Sequence, residues 1–120
     1  MSTLLYWIPT VAYMGLIFYL SSLPGRGIPS RIPDSLLHLA EYFILMFLAI
    51  ISFSRGIFRP AGKKIYVYAF LLTVLYGLSD ELHQFLTAGR HPSLKDWIFD
   101  ILGALLGAVF YRLCLKIRRG

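Results

Sequence analysis

Most of the side chains in this 120-residue chain that could carry chemistry fall in three short stretches. The first holds Asp34, His38 and Glu41, spaced i, i+4 and i+7. On a helix advancing about 100° per residue they lie within about 60° of one another and share a face. The second is the string Asp80-Glu81-Leu82-His83-Gln84. Helical spacing groups Asp80, His83 and Gln84, sets Tyr76 and Gly77 one turn deeper, and turns Glu81 about 100° away from Asp80. The third aligns Asp96 and Asp100 with Gly103 and Gly107, with Ser93 just before them and Arg90 nearby. A histidine beside a carboxylate is the minimal general acid–base pair, and several such groups around one point also suit a polar headgroup or a divalent ion. Candidates for catalysis are His38, Glu41, Asp80, His83 and Asp100. Candidate ligand contacts are Ser22, Asp34, His38, Asp80, Glu81, His83, Gln84, Arg90, Ser93, Asp96 and Asp100. No spacing matches a recognised metal signature, so no metal ligand set and no cofactor is assigned.

These residues sit in a chain that cannot make a water-soluble surface. Residues of the set AVILMFWYC form 58% of it and charged residues 15%, and the mean hydropathy is +0.67. A bilayer is the alternative, where each spanning helix needs roughly 20 mainly apolar residues. Four apolar stretches, about 4–20, 34–53, 65–87 and 93–115, predict an all-α membrane protein, a bundle of four transmembrane helices in a single domain over 1–120. The first stretch lacks a basic leader region and is followed by Ser21-Ser22-Leu23-Pro24-Gly25, a poor cleavage site, so it reads as a retained span, with a kink at Pro9. Breakers between Ser21 and Pro33 mark the first loop, Asp34 is a good N-cap, and Ala88 to Pro92 form a Gly- and Pro-marked turn.

The excess of 12 Lys and Arg over 6 Asp and Glu is placed for a membrane and not for nucleic acid. Arg55, Arg59, Lys63 and Lys64 share one connection, and Arg112, Lys116, Arg118 and Arg119 close the chain. The positive-inside rule then puts both termini in the cytoplasm and the first and third connections outside. Glu41, Asp80 and Asp100 each lie about 10 Å inside the external end of their helices. Carboxylates at that depth cost several kcal/mol unless paired, hydrated or neutralised, which favours one shared interior pocket. Taken singly, the parts have plainer readings: Asp34 as an N-cap, Ser21 and Ser22 as loop residues, Gly103-x-x-x-Gly107 as helix packing, and the aromatic residues, Trp97 included, as lipid-facing or rim groups. Cys114 reads as a small apolar helix residue, with no disulfide partner in the chain.

The sequence resembles the VanZ-like family of small bacterial membrane proteins over almost its whole length. Paired serines after the first span appear as Ser21-Ser22. The family's Asp-Lys-x-x-His-x-x-x-Tyr element appears from Asp34 to Tyr42, with Ser35 in place of lysine. Its Asp-Glu-x-His-Gln-x-Phe element appears from Asp80 to Leu86, with Leu86 at the aromatic position, and Asp100 stands where the family often has Asn. The resemblance implies an integral envelope protein of the bacterial cytoplasmic membrane, linked through the family's namesake to lowered susceptibility to the glycopeptide teicoplanin.

Two functional readings stand out. In the first, a non-enzymatic protein binds a lipid headgroup, a lipid-linked cell-wall precursor or an amphiphilic glycopeptide in an outward-facing polar site, with Arg90 and Lys95 contacting anionic groups. In the second, a membrane-embedded hydrolase or transferase uses His38 or His83 as general base, oriented by Glu41, Asp80 or Asp100. Membrane lipids are the expected partners, with a second copy of the chain as a further candidate; nucleic acid is not expected. Proton-coupled transport is disfavoured, because the cytoplasmic half carries no comparable polar groups.

Overall fold

The structure, a computed structural model, describes residues 3–22, 34–56, 61–86 and 93–119. Among the described residues it forms four α-helices: α1 (Thr3–Ser21), α2 (Asp34–Ser54), α3 (Lys63–Phe85) and α4 (Leu94–Arg119). Each is long and apolar enough to cross a membrane. The expected elements are all present, with shifted ends. α3 starts at Lys63, two residues before the expected Ile65, and ends at Phe85, where the Leu86 N–H closes back onto the His83 carbonyl at 3.0 Å. α4 runs past the expected Leu115 to Arg119, because Lys116, Arg118 and Arg119 are good helix formers whose charge suits a helix C-terminus. α2 stops where Arg55 takes a φ of 60° and the Gly56 N–H reaches the Ile51 carbonyl at 3.2 Å, a Schellman closure.

α2 is the hub of the bundle and packs against all three other helices, while α1 and α4 make no contact among the described residues. Its closest neighbour is α4, and small residues set that approach. A Cβ on Gly107 would stand 2.6 Å from the Phe43 carbonyl oxygen, and one on Gly103 would collide with the Leu39 carbonyl oxygen. The Gly-x-x-x-Gly pair is therefore where the α4 backbone lies against α2. Around this seam Met46, Ala49, Ile50, Ala69, Ala104 and Tyr111 form one buried core cluster, and Ile17, Tyr42 and Leu45 form another toward α1. The outer faces carry exposed large apolar residues on every helix, among them Leu4, Ile44, Leu71 and Leu105. Such a surface is costly in water and ordinary in hydrocarbon.

The two ends of the bundle differ in chemistry. At one end Arg55, Lys63 and Lys64 flank the α2–α3 connection, and Arg112 lies with Ala61, Lys63, Tyr66 and Leu115 around a shallow cleft. There α1 is tied to α2 by the Ser52 hydroxyl, which donates to the Tyr6 carbonyl at 2.7 Å and lies 2.5 Å from the Thr10 hydroxyl. These bonds flank Pro9, which α1 accommodates without a break. At the other end lie the acids and histidines.

Candidate functional site

At the acidic end each helix turns its polar residues inward by simple periodicity. On α2, Ser35, His38 and Tyr42 recur at i, i+3 and i+7 and are all buried. On α3 the buried face is Ala69, Thr73, Gly77, Asp80, Glu81 and Gln84. On α4, Asp96 and Asp100 lie one turn apart, and both are buried.

His38 is the centre of the larger group. Its Nδ1 lies 2.8 Å from Asp100 Oδ1 and 3.9 Å from Glu81 Oε1, and its Nε2 lies 3.9 Å from Asp96 Oδ2. Glu81 is held from its other oxygen, Oε2, which accepts the Ser93 backbone N–H at 2.8 Å. The Ser35 hydroxyl donates to Asp96 Oδ1 at 3.3 Å. Three carboxylates thus face one imidazole, so the group is net negative whenever the acids are ionised, even with a cationic histidine. Buried like charges of this kind require protons, water or a cation. Three buried polar atoms here have no hydrogen-bond partner among the described residues: Glu81 Oε1, Asp100 Oδ2 and Gln84 Nε2. Gly77 makes room for one of them, since a Cβ at that position would stand 2.8 Å from Asp100 Oδ2.

A second, smaller group forms between α1, α2 and α3. Asp80 accepts hydrogen bonds from the Ser21 hydroxyl and, at 3.2 Å, from the Tyr42 hydroxyl. Beside it Ser22 Oγ lies 2.8 Å from His83 Nε2, and the His83 ring stacks on Phe18 with centroids 4.4 Å apart.

In place of one expected cluster there are two adjoining groups of polar side chains. His38, Glu81, Ser93, Asp96 and Asp100 come together; Asp80, His83 and Ser22 form their own group. Glu81, a candidate ligand contact set about 100° from Asp80, is buried and points to His38, because α3 is flanked by different helices on its two sides. Gln84 is buried near Glu81 on the same helix face. Glu41 is half-buried on α2. Lys95 is exposed on the first turn of α4. The Asp34 side chain, Arg90 and Pro92 lie outside what the structure describes. Trp97, expected at the rim or in lipid, is half-buried and donates its indole N–H to the Val74 carbonyl at 3.1 Å, which ties α4 to α3. Sequence reasoning passed over Tyr42 and Ser35 as site residues, although both fall on the His38 face at helical spacing. Ser21, which donates to Asp80, was also absent from the candidates, although its neighbour Ser22 was among them.

A profile of the VanZ/LLP1 family matches residues 6–115, nearly the whole chain. The chain belongs to the VanZ/LLP1 family. Searches of curated proteins and of solved structures found no match. With four helices able to cross a membrane, this member of the family is a multi-pass membrane protein. Its distinguishing chemical feature is an oriented imidazole, His38, among buried carboxylates that are only partly satisfied by the protein itself.

Proposed function

We propose that the protein is a bacterial cytoplasmic-membrane protein whose acidic end faces outward and binds the polar headgroup of a lipid or lipid-linked cell-wall precursor. The observation that carries this reading is the set of three buried, unpartnered polar atoms, Glu81 Oε1, Asp100 Oδ2 and Gln84 Nε2, at one end of an otherwise apolar bundle. A buried polar group left unpaired costs about 1–3 kcal/mol, and a ligand that supplies both donors and acceptors recovers that cost. The outward orientation rests on the basic residues at the opposite end of the bundle. An acyl chain lying along the apolar outer helix faces would leave a headgroup at this depth, with Lys95 on the first turn of α4 at the same end. An amphiphilic glycopeptide such as teicoplanin offers the same combination of lipid tail and polar head.

The hydrolase or transferase reading has its own support in the 2.8 Å His38–Asp100 contact, which orients an imidazole as a general base requires. One experiment separates the two. Native mass spectrometry of protein released from mild detergent, after incubation with a short-chain phospholipid or undecaprenyl phosphate, is expected to show an intact lipid adduct that a His38→Gln, Glu81→Gln double variant loses. Equal adducts in both proteins would remove the binding reading, and conversion of the added lipid by wild type alone would favour catalysis.

A further inference from the structure

His38, Glu81 and Asp100 come from three different helices, and each offers a ligand atom, all within 4.8 Å of one another. We propose that these three residues bind one divalent cation of the zinc class, with Asp96 orienting the histidine from outside the coordination sphere. The proposal deepens the headgroup reading above, because a cation in this anionic cluster is what would let it accept a lipid phosphate. It stands on four independent observations.

The first is the donor set. One imidazole nitrogen and two carboxylates form a mixed N/O site of the kind that suits zinc and its neighbours, and three protein ligands leave a position open for an exogenous oxygen. The second is the unpartnered atoms. Glu81 Oε1 and Asp100 Oδ2 are buried acceptors with no donor among the described residues. Glu81 is meanwhile anchored through its other oxygen by the Ser93 N–H at 2.8 Å, so the free oxygen is the one on the His38 side. The third is the histidine. Nδ1 faces Asp100 and Glu81, and Nε2 faces Asp96 at 3.9 Å. Asp96 is too far for a direct hydrogen bond in this structure, and its closing on Nε2 would complete the carboxylate–histidine–metal arrangement, in which the second ring nitrogen donates to a carboxylate that fixes tautomer and ring orientation. The fourth is Gly77, whose missing Cβ leaves the room that Asp100 Oδ2 occupies and so admits that carboxylate between α3 and α4.

Two donors that each sit about 2.1 Å from an ion are at most about 4.2 Å apart. Binding therefore draws the three side chains inward and replaces the direct His38–Asp100 hydrogen bond with two bonds to the metal. The ion would also offset the repulsion among the acids, so the bound protein is expected to be the more stable form.

The test uses the full chain purified without chelator in mild detergent, then equilibrated with Zn2+ or, for its visible spectrum, Co2+. The expected result is one ion per chain by elemental analysis, cobalt absorption bands, and a melting temperature raised by Zn2+. Glu81→Gln and Asp100→Asn, which preserve side-chain size, are expected to lose the ion. Asp96→Asn is expected to weaken binding about 10–100-fold, as loss of an outer partner does. Gly15→Ala, at a site with open space around it, is the control that keeps the ion. Monodispersity and helical circular dichroism check each fold, and His38→Gln takes the place of any ligand variant that fails them. Wild type without an ion, or ligand variants that bind like wild type, overturn the proposal. Lipid adducts without metal overturn the metal site and leave the headgroup reading standing; metal without lipid adducts supports the site and removes the headgroup reading.

Discussion

Asp80 depends on two donors from other helices, the hydroxyls of Ser21 on α1 and Tyr42 on α2. Ser21→Ala removes one of them and leaves a buried carboxylate oxygen short of a partner, so it is expected to destabilise the protein by about 1–3 kcal/mol. Unfolding by denaturing detergent, followed by circular dichroism, measures this; an unchanged midpoint would mean that the Ser21 hydroxyl contributes nothing to holding Asp80. Much at this scale was legible in the sequence. Buried acids and histidines in an apolar chain announce themselves, and the His38–Asp100 partnership joins residues whose spacing put both near one end of their helices. What the sequence could not supply was the division of the polar residues into two groups. Asp80 and Glu81 are adjacent in the chain and about 100° apart around α3, and only the placement of α1 on one side and α4 on the other makes both directions interior.

Helix packing explains where the two glycines of α4 belong. Gly103 and Gly107 lie against the α2 backbone, so a methyl group at either must push the helices apart or distort them. Gly107→Ala is expected to cost about 1–3 kcal/mol, as overpacking does. Gly15→Ala meets nothing within 4 Å and is expected to be neutral or to stabilise by up to about 1 kcal/mol through helix propensity. The same unfolding experiment compares them; equal effects would show that the α2–α4 seam tolerates separation. The Gly-x-x-x-Gly spacing was readable as a packing face, and its partner was not, because any of three helices could have offered a close backbone. Helix existence followed from apolar length alone. Helix ends were less legible, since α3 and α4 extend through lysines and arginines that hydropathy excludes but helix propensity permits.

At the scale of the whole molecule, basic residues gather at one end and buried acids at the other. The positive-inside rule then predicts that Cys114, on the basic side of α4, is cytoplasmic. In intact cells a membrane-impermeant maleimide is expected to spare Cys114 until the membrane is permeabilised, and to label Ser93→Cys in a Cys114→Ser background without permeabilisation. The opposite pattern would invert the bundle and place the acidic end inside. Four spans and their connectivity were legible because the bilayer fixes the length of every element. The depth and asymmetry of the buried polar groups were legible only in outline, because the rotation of each helix about its axis is set by packing with its neighbours.

The claim that a lipid headgroup occupies the acidic end is tested most directly by photo-crosslinking with a phospholipid that carries a diazirine on its headgroup, followed by peptide mapping. Crosslinks are expected on the segments that meet there: residues 35–42 of α2, 77–85 of α3 and 93–100 of α4, and to be lost in the His38→Gln, Glu81→Gln double variant. Crosslinks confined to the basic end around Lys63, Tyr66 and Arg112, or scattered along the exposed leucines and unchanged in the variant, would contradict the account.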